Sequence, residues 1–139
     1  MVRVIDQVLM RYLNLFGKIS RVDVKDCFIF NNKIVFAVPR NKLSLAVGEN
    51  GRNVRKASDL LPRKVKVIAL PRDESEAKWF LLSITHPTEF KNLEITGDEM
   101  IITTTGMKNK AELMGRNKAR MKELQSVVKQ YFNKGLRII

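Results

Sequence analysis

When Gly48 is laid on Gly115, an offset of 67 residues, Asn50 falls on Asn117, and Val54, Ala57, Leu60 and Leu61 fall on Met121, Leu124, Val127 and Val128. Two helices therefore present the same apolar face in the same register, and the elements around them recur in the same order. A chain of 139 residues built this way reads as two copies of one small unit, so any fold assigned to it has to hold twice.

The first copy opens with Ile5, Val8, Leu9, Tyr12, Leu13 and Phe16, one face of a helix whose end the spacing predicts near Gly17. Residues 22–30 and 34–38 are β-branched and aromatic, and Asn31 and Asn32 between them tolerate the positive φ of a tight hairpin. After Pro39 a short helix over 43–47 leads into the stretch Gly48-Glu49-Asn50-Gly51. A second helix begins at Gly51, buries Val54, Ala57, Leu60 and Leu61, and stops at Pro62; a strand over 65–70 runs to Pro71. The second copy begins at Asp73, a helix cap with Glu76 three positions on as its reciprocal partner, which accounts for the acidic cluster without a metal. Ala77, Phe80, Leu81 and Ile84 form the buried face that follows, and His86-Pro87 ends it. Strands over 93–96 and 100–105 flank a turn at Gly97-Asp98; then come a short helix over 111–114, the loop Gly115-Arg116-Asn117-Lys118, a helix to about Phe132, and a strand over 136–139. Both copies read α-β-β-α-α-β, an α+β class.

The loop from Gly48 to Gly51 is where chemistry concentrates. Glycines at both ends allow a backbone to approach more closely than side chains would permit. The helix that follows aims its positive dipole end at the loop, and Arg52, Arg55 and Lys56 add formal charge beside it, which together make an anion cradle. The chain carries 26 Lys and Arg against 14 Asp and Glu, net +12, and residues 1–73 hold 15 basic and 6 acidic side chains, net +9. Such an excess attracts polyanions. In the second copy Lys118 replaces the last glycine, and residues 108–122 hold Lys108, Lys110, Arg116, Lys118, Arg120 and Lys122 against Glu112, net +5. Lys118 either blocks backbone approach or supplies a phosphate contact in its place, and the charge gathered around it favours the contact.

Other chemistries find no support. Cys27 is the single cysteine, so no internal disulfide forms, and on an alternating strand it reads as a small core residue. His86 is the single histidine, with no second His or Cys to complete a metal site or a nucleophile pair. No phosphate-binding Gly-x-x-x-x-Gly-Lys-Ser/Thr stretch occurs, and residues 103–105 are a strand end, so no catalytic residue, metal or cofactor is assigned. The longest uninterrupted apolar run, 34–38, is far short of the ~20 residues of a membrane helix, and the charges in residues 1–6 do not form a secretory signal. A protein of the reducing cytoplasm is expected. The 45% hydrophobic content is ample for packed cores.

The segment Val47-Gly48-Glu49-Asn50-Gly51-Arg52-Asn53-Val54, with Lys56-Ala57-Ser58 after it, resembles the signature loop of a KH domain, and in particular those of NusA-type transcription elongation and termination factors. Over nearly its full length the chain is similar to the short archaeal NusA-like proteins. The resemblance implies two tandem type II (prokaryotic) KH domains, 1–72 with an intact Gly-x-x-Gly loop and 73–139 with the degenerate loop Gly115-Arg116-Asn117-Lys118. It implies a groove, formed by the helices around the loop and the adjoining strand, that holds about four unpaired nucleotides. Its RNA-binding residues would be Val47, Gly48, Glu49, Asn50, Gly51, Arg52, Asn53, Arg55 and Lys56 in the first copy, and Gly115, Arg116, Asn117, Lys118, Arg120 and Lys122 in the second. Ala46, Val47 and Val54 are groove candidates or, equally, core. The implied function is a monomeric, non-enzymatic, cytoplasmic factor that binds single-stranded RNA and acts with RNA polymerase; the alternative is a ribosome-associated RNA-binding or assembly factor.

Overall fold

The computed structural model describes residues 6–139, which form two compact units meeting in sequence at Pro71 and Arg72. Position Ile5 of the first helix face lies outside the described residues. Each unit is α+β, with three helices and one three-stranded sheet.

In the first unit, α1 spans Gln7–Ser20 and is capped by Asp6, whose carboxylate accepts the Leu9 amide at 2.8 Å. Leu9, Tyr12, Leu13 and Phe16 face the core, and the fully buried Phe16 ring stacks on Phe36 with centroids 4.5 Å apart. The helix does not end at Gly17, as its spacing predicts, but runs one turn further, to a left-handed Arg21 (φ 59) whose amide returns to the Gly17 carbonyl. Glycine inside a helix costs only about 1 kcal/mol, and Ile19 in the added turn packs against the core.

Strands β1 (Asp26–Phe30) and β2 (Lys33–Val38) pair antiparallel around Asn31 and Asn32, both at positive φ (49 and 63). Residues 22–25, expected as strand, are irregular although Val22 and Val24 are buried. The last strand pair is Asp26 with Ala37, and the Lys25 amide still reaches the Ala37 carbonyl at 2.9 Å, but β2 stops at Val38 before Pro39, so residues 22–24 have no strand opposite them. Strand β3 (Val65–Ala69) pairs parallel to the other side of β2, giving the order β1-β2-β3. Parallel neighbours require a crossover. It is supplied by α2 (Leu43–Val47) and α3 (Arg52–Leu60), and the Gly48 loop is the joint between them. Cys27, Ile34, Phe36, Val38 and Val65 from the sheet close on Phe16, Ala46 and Ala57 from the three helices. Leu60, expected inside, is 59% exposed. It occupies the last helical position, and Leu61, pulled into extended geometry ahead of Pro62, takes the place against the core.

The Lys66 ammonium on β3 is half-buried, and burial, reinforced by the nearby Lys33, draws it down from 10.5 to about 8. Between those two values the unfolded chain keeps a proton that the folded chain has released, so stability should rise with pH across that window and be flat below it. The Lys66 side-chain carbon resonance is expected to titrate near pH 8, and a midpoint near 10.5 would refute the assignment.

The second unit repeats the order. Asp73 accepts the Ser75 amide at 2.9 Å, and the Ser75 hydroxyl and amide together hold its carboxyl below the usual carboxylate range. Glu76 closes the cap one residue earlier than the sequence pattern suggests, accepting the Arg72 amide at 2.7 Å instead of that of Asp73. Helix α4 (Ala77–Thr85) buries Ala77, Phe80, Leu81 and Ile84, and Phe80 packs against Tyr131 at 4.8 Å. Strands β4 (Asn92–Ile95) and β5 (Glu99–Thr103) are antiparallel; β6 (Gly135–Ile138) lies parallel to β5. Between them run α5 (Met107–Met114), which starts four residues before the expected 111, and α6 (Ala119–Phe132).

Candidate nucleic-acid interface

Helix α2 ends on the Gly48 amide, which bonds to the Ser44 carbonyl at 3.0 Å. Gly48 then takes φ 83 and ψ 162, a conformation open essentially to glycine alone. A Cβ here would lie 3.0 Å from the backbone nitrogen and side chain of Asn53. Asn50 (φ 56, ψ 28) and Gly51 (φ 73, ψ 20) are both left-handed, and the Gly51 amide closes the turn onto the Gly48 carbonyl at 3.0 Å. Helix α3 therefore begins at Arg52, with Gly51 as its left-handed cap and not, as expected, its first residue.

The second loop has the same backbone. Gly115 sits at φ 73 and ψ 173, Asn117 at φ 55 and ψ 30, and the Lys118 amide reaches the Gly115 carbonyl at 3.1 Å. Lys118 itself takes φ 61 and ψ 24, the left-handed geometry of Gly51, although a side chain there costs about 1–2 kcal/mol. The pairing extends to side chains. Asn53 donates to the Leu45 carbonyl at 3.3 Å, and Arg120, its counterpart 67 residues on, donates to the Glu112 carbonyl at 2.7 Å. Both tie the start of the second helix to the end of the first.

Those bonds sort the expected site residues. Glu49, Asn50, Arg52, Arg55 and Lys56 are exposed, while Val47, Gly48, Gly51 and Asn53 are partly buried. The Arg55 guanidinium folds back to donate to the Asn50 carbonyl, so it braces the loop as well as charging it. Ala46 has no exposed surface and belongs to the core, against which Val54 also packs. In the second unit Arg116, Asn117, Lys118 and Lys122 are exposed around the partly buried Gly115, and Arg120 is engaged as a helix brace.

A groove of about 1070 Å³ opens beside the first loop. Its walls are the end of α1 (Ile19, Ser20, Arg21), the approach to and body of α2 (Asn41, Ser44, Leu45), the loop residues Gly48 and Glu49, and Arg52, Asn53 and Lys56 of α3. Sequence reasoning singled out the last five. It missed Ile19, Ser20 and Arg21 at the end of α1, far from the motif in sequence, and Asn41, Ser44 and Leu45 just ahead of it; Leu45 is 56% exposed beside the fully buried Ala46. Among the described residues no cluster of three or more His, Cys, Asp or Glu could hold a metal, and no helix is long and apolar enough to cross a membrane.

No family model matches the chain. It is 28% identical over 92 residues to the probable transcription termination protein NusA of Methanococcus vannielii, covering 65% of this chain and 51% of the relative. It is 30% identical over 61 residues to the protein of the same name from Methanocaldococcus jannaschii, covering 44% of this chain and 33% of that one. The chain thus spans about half and a third of the length of these two curated relatives, and its sequence resembles those NusA proteins. The crystal structure of APE1850 shares its fold, with a TM-score of 0.66 at 18% identity over 97% of this chain and 99% of the other.

Proposed function

We propose that the chain is a single-stranded-RNA-binding transcription factor built from two tandem type II KH domains, 1–72 and 73–139, that acts with RNA polymerase during elongation and termination. The observation that supports it best is the pair of loops with one backbone shape, each opened by a glycine in a glycine-only conformation and set between two helices. Such a joint brings main chain to the surface at the positive end of a helix, where a sugar-phosphate backbone can lie against it. Phosphate contacts from Arg52 and Arg55 at the first loop, from Lys56 one turn further along α3, and from Arg116, Lys118 and Lys122 in the second domain supply affinity and register. The factor holds transcript segments without altering them, works as a cytoplasmic monomer, and needs no cofactor.

Single-stranded RNA should bind more tightly than a hairpin stem of equal length, since pairing hides the base edges such a groove reads. Equal affinity for both would remove the KH mode. Changing Glu49 and Asn50 together to Asp keeps the left-handed residue within a type that tolerates it. It adds one carboxylate, at position 50, beside the one that position 49 already carries, and single-strand affinity measured by fluorescence anisotropy should fall about threefold at low salt. Unchanged affinity in a folded double variant would make the loop structural only.

A further inference from the structure

The groove beside the first loop runs toward the end of α1, and three basic side chains from two elements stand along it. Arg21 projects from the left-handed cap of α1, while Arg52 and Lys56 stand one turn apart on α3; all three are exposed. Glu49 is the one acidic residue on the wall. The same groove is lined by Asn41, Ser44 and Leu45, the last 56% exposed. An apolar side chain left uncovered on a floor bordered by amides, a hydroxyl and cations suits a base face with its phosphate at the edge.

The second unit shows that this chemistry is not a by-product of the fold. At the positions 67 residues on, Asn41 becomes Lys108, Leu45 becomes Glu112, Arg52 becomes Ala119 and Lys56 becomes Glu123. The loop backbone is retained, but the wall loses its apolar floor to Glu112 and the cations Arg52 and Lys56 to Ala119 and Glu123, while its positive charge moves to Lys108, Arg116 and Arg120, where the first unit has Asn41, Glu49 and Asn53. The exposed apolar residue on this flank, with the cations Arg52 and Lys56 beyond it, is a feature of the first unit and not of the second.

We infer that an RNA strand held at the Gly48 loop continues past it into the α1-side groove, where Arg21 and Lys56 contact the phosphates of nucleotides beyond those seated at the loop and Leu45 supports a base. The inference rests on the RNA reading of the loop. Continuity favours RNA over an acidic peptide as the occupant, because Gly48 and Glu49 are themselves part of the groove wall.

Two oligoribonucleotides distinguish the possibilities, one of about four nucleotides that fills the loop and one of about eight that extends beyond it. Arg21→Asn removes the charge while asparagine accepts the left-handed backbone more readily than arginine. In the full-length chain this variant should bind the long strand about threefold more weakly and lower its log-log salt slope by about 0.7, leaving the short strand unaffected. Lys56→Gln should add a second loss of about 0.7 in slope for the long strand. Unchanged binding of the long strand by both variants would overturn the inference and leave the groove to a protein partner. Equal weakening of both lengths would overturn it too, since the cations would then serve the loop. Failure of the unmodified chain to bind either strand would sink the RNA reading itself.

Discussion

Replacing Gly48 with alanine should destabilise the first unit by about 2–3 kcal/mol, because the backbone there (φ 83, ψ 162) is closed to side chains and the new Cβ would press to 3.0 Å on the Asn53 backbone. Backbone nitrogen cannot swing aside as a flexible side chain would. Relief would require the start of α3 to move, which would break the Asn53 bond to the Leu45 carbonyl and open the groove wall. Gly51 is a glycine of a different kind. Its φ of 73 is ordinary left-handed geometry, and the nearest atom to an added Cβ is the end of the Arg55 side chain at 3.5 Å. Gly51→Ala should therefore cost about 1 kcal/mol and keep the loop shape. In thermal unfolding of the full chain the first substitution should lower the midpoint on the order of 10 °C and the second only a few degrees. Gly115→Ala should be at least as damaging as Gly48→Ala, since its Cβ would sit 2.8 Å from the Arg120 Cγ and 3.0 Å from that residue's backbone nitrogen. Equal melting of the Gly48 and Gly51 variants would show that the two glycines are not distinguished by their backbone.

That distinction was only half legible in the sequence. Glycine at 48, 51 and 115 marks positions of conformational freedom, and the repeat aligns them, but letters do not say which glycine is obligatory. Local signals elsewhere carried far: Asn31 and Asn32 do turn the hairpin, α2 does span Leu43–Val47, and Cys27 is a core residue. Misreadings arose where a distant partner decides. Gly17 failed to stop α1 because Ile19 had a core to meet, and residues 22–25 failed to become strand because Pro39 ends the strand they would have joined. Arg120 is the instructive case. Beside the charge and position that suggest a phosphate contact, one of its guanidinium nitrogens donates to the Glu112 carbonyl, a brace that no sequence pattern announces. The groove was out of reach for the same reason: α1 and α3, far apart in sequence, meet only in the folded core.

Lys118→Gly should raise the stability of the second unit by about 1 kcal/mol while weakening its hold on single-stranded RNA, and the opposite signs are what make the substitution informative. A lysine held at φ 61 and ψ 24 is strained by about 1–2 kcal/mol, part of which is returned because glycine costs more entropy on folding. Nothing in the fold compels that strain, since the Gly51 geometry it copies is met without it in the first unit. A side chain kept there at such cost, exposed beside Arg116 and Lys122, is placed to meet an anion. Loss of one phosphate contact should flatten the log-log salt dependence of single-strand binding by about 0.7 and reduce affinity modestly. Tighter binding by the glycine variant would mean that the side chain obstructs the backbone, and the second unit would then serve as a scaffold or partner-binding domain. Thermal unfolding and salt titration on the same preparation separate the two effects: a stabilised variant with an unchanged slope would remove Lys118 from the interface, and a flattened slope without stabilisation would mean that its left-handed backbone carries no strain.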